Sequence, residues 1–383
     1  MGEKPAEKFR AVRLSRSIVG KAEADAVSAV ILQDGYLGMG KEVQSFEREL
    51  AEYLGVSPDA VCCVNTGTSA VHLAVQALTR PGDEILVQSL TFVATYQAIS
   101  ATGAVPVSCE VLPESVTIDL ADAEKKITKK TKAVLPVHYA GHAGNLAEIY
   151  TFAKRHNLRV IEDAAHAFGG DYDGKKIGSF GDTACFSFDG IKNITSGEGG
   201  AVVSSDPAVI SAAKDARLLG VEKDTENRFK GARSWEFDVT RQGYRYHMSN
   251  IFAAIGRTQL RRLDNEFAPV RKRQVADYRE SLAGVAGIKF FETDLKNVVP
   301  HIIPVRVLNG RRDALREFLK NAGVETGIHY KPNHLLSLYG GGATSLPVTE
   351  MLYGELLTLP MHPGLNDDDV AFVSEAVKRF FDV

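Results

Sequence analysis

An α/β architecture with a mostly parallel central sheet, joined to a smaller C-terminal α+β domain, is the fold class this 383-residue sequence predicts. Three observations carry that prediction. Short β-like runs alternate with amphipathic helical stretches from about residue 18 to 220, the pattern of a sheet covered by helices on both faces. The alternation breaks over residues 221–247, where charge and aromatics follow no period, and a long helical stretch runs from Asn250 to about Ala283. Finally, 44% hydrophobic residues in a chain of this length can bury more than one small core. The division expected is a large domain with an N-terminal helical arm over 1–250, then a bridging helix and small domain over 251–383.

In chain order, a helix is expected over 41–54, and the apolar run Ala60–Val64 reads as buried strand. Val71, Leu73, Ala74 and Leu78 then fall at helical spacing in a helix over 68–79. Strands are expected over 84–88, 104–108, 132–137, 158–162, 183–187 and 201–204, with helices over 93–101, 120–127, 145–156 and 207–218. The stretch from Asn250 lacks a sustained heptad, so it reads as a bridge between domains rather than a coiled coil. A strand near 301–307, a helix near 311–322, a strand-like run Thr326–Tyr330 ending at His329 and a final helix from about Asp367 fill the small domain. Thr68, Phe92, Asp163 and Ser187 each fall at or just past the carboxyl end of a predicted strand. Ligands of open parallel sheets gather there.

A net charge of −3 and a pI near 6.4 give no general field for nucleic acid or anionic membrane, so the partners expected are small molecules or a second copy. Residues Met1–Lys8 contain no apolar signal-like core, and no run approaches the roughly 18 apolar residues of a membrane helix. A cytoplasmic protein is expected. Cys62, Cys63, Cys109 and Cys185 lie in apolar strand-like runs without metal-site spacing and read as buried, reduced and structural. Adjacent Cys62 and Cys63 should point to opposite faces of their strand.

The chemistry is concentrated around Lys192, which stands 29 positions after Asp163 on the Gly-rich stretch Ser187–Gly200. A strand ending in a carboxylate, followed by a lysine on such a turn, is what a protein needs to hold pyridoxal phosphate (PLP). The lysine amine forms an imine with the cofactor aldehyde, and the carboxylate keeps the pyridine nitrogen protonated. Gly67, Thr68 and Ser69, between strand and helix, present N–H and hydroxyl donors to a phosphate, or serve as an ordinary N-cap. Phe92 is placed to stack on the pyridine, or is a core residue. His166 is a candidate contact near the ring or a satisfied structural histidine, and Ser187 is a further phosphate ligand. Asn193 adjoins the lysine as a site residue or a turn former. Arg228, Arg241 and Trp235 could receive a diphosphate and stack on a base, or belong to a solvated loop.

These motifs resemble the DegT/DnrJ/EryC1/StrS group of PLP-dependent nucleotide-sugar aminotransferases, of fold type I. The resemblance runs nearly end to end, through Gly35–Gly38, Gly82–Glu84, Val137–Gly141, Glu162–His166, Ser187-Phe188, Lys192-Asn193, Gly197–Gly200 and Leu359–Leu365. It implies a ping-pong transfer of nitrogen from glutamate to a nucleotide-linked keto-sugar through a Lys192–PLP aldimine. Relatives with histidine at the lysine position act as dehydratases, so Lys192 implies a complete aminotransferase. The resemblance also implies a homodimer in which residues 243–250 reach the other subunit's site, with Arg245 and His247 as cofactor contacts and His329 near the sugar. Arg245 and His247 stand where many relatives carry Asn, and Arg or Asn, while Ser17 and Tyr36 replace a common Pro and Trp. Competing readings are another fold type I PLP enzyme, a non-enzymatic PLP-binding regulator, for which neither terminus supplies a basic DNA-binding module, and a nicotinamide enzyme, for which a Gly-x-Gly-x-x-Gly turn is missing.

Overall fold

A computed structural model describes residues 11–221, 238–340 and 343–382. Its central sheet takes β1 (Val61–Val64), β2 (Glu84–Gln88), β3 (Val105–Cys109), β4 (Thr131–Leu135) and β5 (Arg159–Asp163). A short hairpin of β6 (Asp171–Tyr172) and β7 (Lys175–Lys176) stands apart, and β8 (Thr183–Ser187) and β9 (Gly200–Ser204) complete the large sheet. Its seven strands lie in the order β1-β9-β8-β5-β4-β2-β3. The pairings of β2 with β3 and β4, of β4 with β5 and of β5 with β8 are parallel, whereas β9 runs antiparallel to both of its neighbours. Parallel neighbours need a crossover, but β8 and β9 are joined through residues 188–199 without a helix, so the chain turns straight back. That returning loop carries Lys192.

Helices α1 (Lys21–Ala29), α2 (Lys41–Leu54), α3 (Gly67–Leu78), α4 (Val93–Ala101), α5 (Leu120–Lys125), α6 (Leu146–His156) and α7 (Pro207–Ala216) accompany this sheet. Alternate strand residues serve opposite faces. Cys63, Leu86, Val134 and Val160 pack with Phe46 and Leu50 of α2 and Phe152 of α6. Cys62, Ile85, Ala133 and Ile161 pack with Val71 of α3, Ile99 of α4 and Val209 of α7. Since both faces are covered, the strands β1, β4, β5 and β8 are buried at nearly every position. All four cysteines are buried and outside any disulfide, with Cys62 and Cys63 on opposite faces as expected.

The expected single helix from Asn250 is broken. Helix α8 (Asn250–Arg262) passes through a π-type turn at Leu263–Phe267 into α9 (Ala268–Ser281), whose first turn holds Pro269. A proline lacks the N–H that a continuous helix would use and its ring crowds the preceding turn, so the ladder is interrupted where it enters. Leu260, Leu263 and Phe267 pack in the large core, while Val275, Tyr278 and Leu282 pack in a separate one. That second core backs a three-stranded antiparallel sheet of β10 (Ile288–Phe290), β11 (Ile303–Val307) and β12 (Leu356–Leu359), with α10 (Arg312–Asn321), α11 (Pro347–Glu355) and α12 (Asp367–Phe381) around it. Val12, far away in sequence, also packs in this core and bridges to Val324. β12, α11 and the β6–β7 hairpin are absent from the sequence expectations. His329 does not end a strand, because the run before it makes only an isolated bridge from Gly327 to Thr358. Among the described residues, no helix is long and apolar enough to cross a membrane.

Candidate active site

The ends of β1, β2, β5 and β8 open onto one cavity of about 380 Å³. Gly67, Thr68, Phe92, Asp163, His166, Ser187, Lys192 and His329 all line it. The large sheet delivers all of these but His329 to a common edge, and His329 comes from the segment before β12 that bridges to Thr358, so positions up to 262 apart in the chain meet.

Asp163 ends β5 and is 6% exposed. Its Oδ2 accepts from Thr95 Oγ1 at 2.7 Å and its Oδ1 from the Ala165 amide at 3.2 Å, so both carboxylate oxygens are held in place. Lys192 enters from the β8–β9 loop, and its Nζ lies 3.5 Å from His301 Nε2. Burial pulls its pKa from the ordinary 10.5 down to about 8, against the upward pull of Asp163 and Asp189 and with a smaller downward push from Arg271. A lysine so placed gives up its proton far more readily than an exposed one, with about a tenth of it neutral at pH 7, and can act as nucleophile or base.

The N-terminus of α3 forms the opposite wall. Thr66 caps the helix by accepting from the Ser69 amide at 3.0 Å, and Gly67 lies against β8 so closely that a Cβ there would stand 2.6 Å from Ser187 Cβ. Gly67, Thr68 and Ser187 therefore gather at a helix N-terminus, the natural seat of a phosphate. Phe92 stays 53% exposed at the cavity wall with its ring tilted against Tyr330, centroids 5.4 Å apart, so it is not a core residue.

His166 is held neutral, its pKa pushed well below the usual range by burial and by the nearby charge of Lys192. Its Nδ1 accepts from the Ala140 amide at 3.4 Å, which assigns the proton to Nε2 and makes it the donor to Tyr330 Oη at 3.0 Å. Tyr330 keeps its own hydrogen, since burial raises the phenol pKa, and can donate it to a ligand. His329 gives Nδ1 to a 2.8 Å contact with Thr358 Oγ1 and burial lowers its pKa to about 4, leaving a neutral ring whose other nitrogen is not taken by Thr358.

Other predicted residues lie elsewhere. Ser69 does not line the cavity, because its hydroxyl is spent on Asn65 Oδ1 at 2.5 Å and on the capping Thr66. Asn193 is 4% exposed and donates to the carbonyls of Phe168 and Val299 at 3.0 and 3.1 Å, which makes it a tie for the loop. Arg245 and His247 form isolated bridges to Leu218 and Val64 beyond this chain's cavity, and Arg241 is exposed away from it. Arg228 and Trp235 lie outside the described residues. Thr95, Tyr330 and His301 were not singled out in the sequence. Their contacts span 68, 164 and 109 positions, and only Thr95, one helical turn after Phe92, offered a local signal.

The set fits pyridoxal phosphate on its own chemistry: an amine with a depressed pKa, a fixed carboxylate, an aromatic face and a helix N-terminus around one cavity. Among known proteins, the chain is 37% identical to the GDP-perosamine synthase of Vibrio cholerae over 89% of this chain and 91% of that one. It is 33% identical to the dTDP-4-dehydro-2,3,6-trideoxy-D-glucose 4-aminotransferase of Saccharopolyspora spinosa over 96% of each. The solved PLP form of Spr1654 from Streptococcus pneumoniae superposes with a TM-score of 0.88 at 26% identity, covering 97% of this chain and 99% of that one. The family pattern itself matches residues 18–378, and the chain belongs to the DegT/DnrJ/EryC1/StrS aminotransferase family.

Proposed function

We propose that this chain moves an amino group from glutamate to the keto carbon of a nucleoside-diphosphate-linked sugar, with PLP as its cofactor. The observation that carries this reading is the meeting of Lys192 and Asp163 at one cavity with the N-terminus of α3. PLP, when bound, supplies the electron sink and stores the amino group between the two substrates. Asp163 would pair with its ring nitrogen, Gly67, Thr68 and Ser187 with its phosphate, and Phe92 with its ring face. Lys192, its pKa lowered by burial and its amine at the reacting end of the cavity, carries the proton between substrate carbon and cofactor. Because one cavity serves both halves, the spent donor leaves before the sugar enters, and the kinetics are ping-pong.

Lys192 is the sole Lys or Arg among the described residues lining this cavity. Two substrates and a cofactor with anionic groups need more positive charge than that. This supports a homodimer in which the partner's 243–250 segment, with its Arg245 and His247, completes the site, and in which Arg228, Arg241, Trp235 and His329 meet the nucleotide sugar. Four buried cysteines outside any disulfide fit a reducing compartment, and we place the protein in the cytoplasm. The GDP and dTDP in the relatives' names make both carriers the first candidates.

The test is direct. Purified protein loaded with PLP and aminated by glutamate is offered a panel of GDP- and dTDP-linked keto-sugars, and product is followed by mass spectrometry. Nitrogen from labelled glutamate should appear in one or more sugars, and Lys192→Ala should abolish turnover while circular dichroism stays unchanged. Wild-type turnover in that variant would end the proposal.

A further inference from the structure

The loop between β10 and β11 of the small sheet is sewn to the lysine loop. Arg271 of α9 is 2% exposed and donates through NH1 to the carbonyls of Pro300 and His301, at 3.4 and 3.1 Å, and through NH2 to the carbonyl of Lys192 at 3.5 Å. Asn193 adds a second stitch, from its Nδ2 to the Val299 carbonyl at 3.1 Å. One guanidinium thus holds the backbone at both ends of the contact between Lys192 Nζ and His301 Nε2. His301 is 4% exposed, and its ring stands 4.4 Å from that of His166, centroid to centroid.

The other ring nitrogen, Nδ1, is buried without a protein partner. The pairing with the amine is therefore the one side-chain hydrogen bond His301 makes among the described residues, and turning the ring away from Lys192 would leave both nitrogens bare. Burial and the neighbouring Lys192, His166 and Arg271 keep the imidazole uncharged. An uncharged ring can accept from the amine or donate to it without adding a competing positive charge.

We propose that His301 is a positioning residue for Lys192: its Nε2 holds the free lysine amine at the cavity wall, ready to engage the cofactor aldehyde. The inference rests on the assignment of Lys192 as the cofactor-binding lysine. It gives the β10–β11 loop of the small sheet a part in the chemistry, with Arg271 setting the distance.

The test uses the full-length apoprotein and reads covalent capture rather than turnover. PLP is mixed in, the reaction is quenched with borohydride at successive times, and pyridoxylated Lys192 is counted by peptide mass spectrometry. A glutamine amide falls near the place of Nε2, whereas asparagine reaches only that of Nδ1. His301→Phe and His301→Asn should therefore slow capture about tenfold, the worth of one hydrogen bond in this setting, and His301→Gln should restore most of the rate. Pyridoxamine phosphate cannot bond to lysine, so its affinity reports the cavity alone and should be unchanged in every variant. If the Phe variant fails that control, the Asn and Gln pair decides. Capture at the wild-type rate in a variant without the hydrogen bond, or equal slowing in Asn and Gln, overturns the role of His301. No label on Lys192 in the wild type instead overturns the cofactor assignment.

Discussion

At the scale of single residues, the two hydrogen bonds on Asp163 are the feature to probe. Thr95→Val removes the 2.7 Å donor and leaves shape nearly intact. A hydrogen bond to a charged group contributes about 1.5–3 kcal/mol, so PLP affinity should fall by about tenfold or more, measured by equilibrium dialysis. Asp163→Asn should weaken turnover further, because it removes the charge as well as reorienting the donors. Retention of full activity with tight cofactor binding in Asp163→Asn would exclude the pairing with the ring nitrogen.

Lys192 also sets a pH dependence. Its folded pKa, about 8, lies below the ordinary 10.5, so between those values the unfolded chain binds a proton that the folded apoprotein does not. Stability of the apoprotein should rise with pH across that window, by linkage, and the burial penalty is fully present below it. Lys192→Met should flatten this rise in denaturant titrations performed from pH 7.5 to 10.5, a range about the pKa values themselves.

At the scale of elements, two glycines in helices should answer oppositely to alanine. Gly354 in α11 has no neighbour within 4 Å of a Cβ, so Gly354→Ala should gain about 0.5–1 kcal/mol from helix propensity. Gly67 in α3 faces Ser187 Cβ at 2.6 Å, and β8, hydrogen-bonded on both sides, cannot step back. Overpacking costs about 1–3 kcal/mol and outweighs the propensity gain, so Gly67→Ala should lower the melting temperature and phosphate affinity together.

The same scale shows what the sequence could carry. Strands buried on both faces announce themselves as apolar runs, and the turn residues after β1, β2 and β5 mark where a ligand edge lies. The reversal of β9 is invisible to periodicity, since a strand has the same pattern in either direction. β12 escaped because Leu356 follows α11 directly, with no turn residue to separate Leu352 of the helix from the strand. Ser69 misleads for a different reason. A hydroxyl at a helix start suits a cap as well as a phosphate, and the positions of Asn65 and Thr66 decide for the cap. Tyr330 and His301 come to the cavity through the small sheet, and no local spacing encodes such a distant meeting.

At the scale of the whole molecule, the face along α1 presents Val19, Ile31 and Leu32 at 56, 49 and 80% exposure around a groove that also includes Ile255. Apolar surface of this kind is usually covered in solution. The dimer proposed above should appear as a single species in sedimentation velocity at low micromolar concentration, and Leu32→Glu should shift it toward monomer with loss of activity. A fully active monomer would refute shared sites.

The split of the four thiols between the two faces of the large sheet gives the protein a pair of internal clocks. Cys63 and Cys109 sit under one helical layer, Cys62 and Cys185 under the other. A thiol reagent can reach either set only while its layer lifts, so labelling of Cys109 and of Cys185, which fall in different peptides, would time the two openings separately. Ligands that clamp α3 should then slow the Cys185 signal more than the Cys109 one.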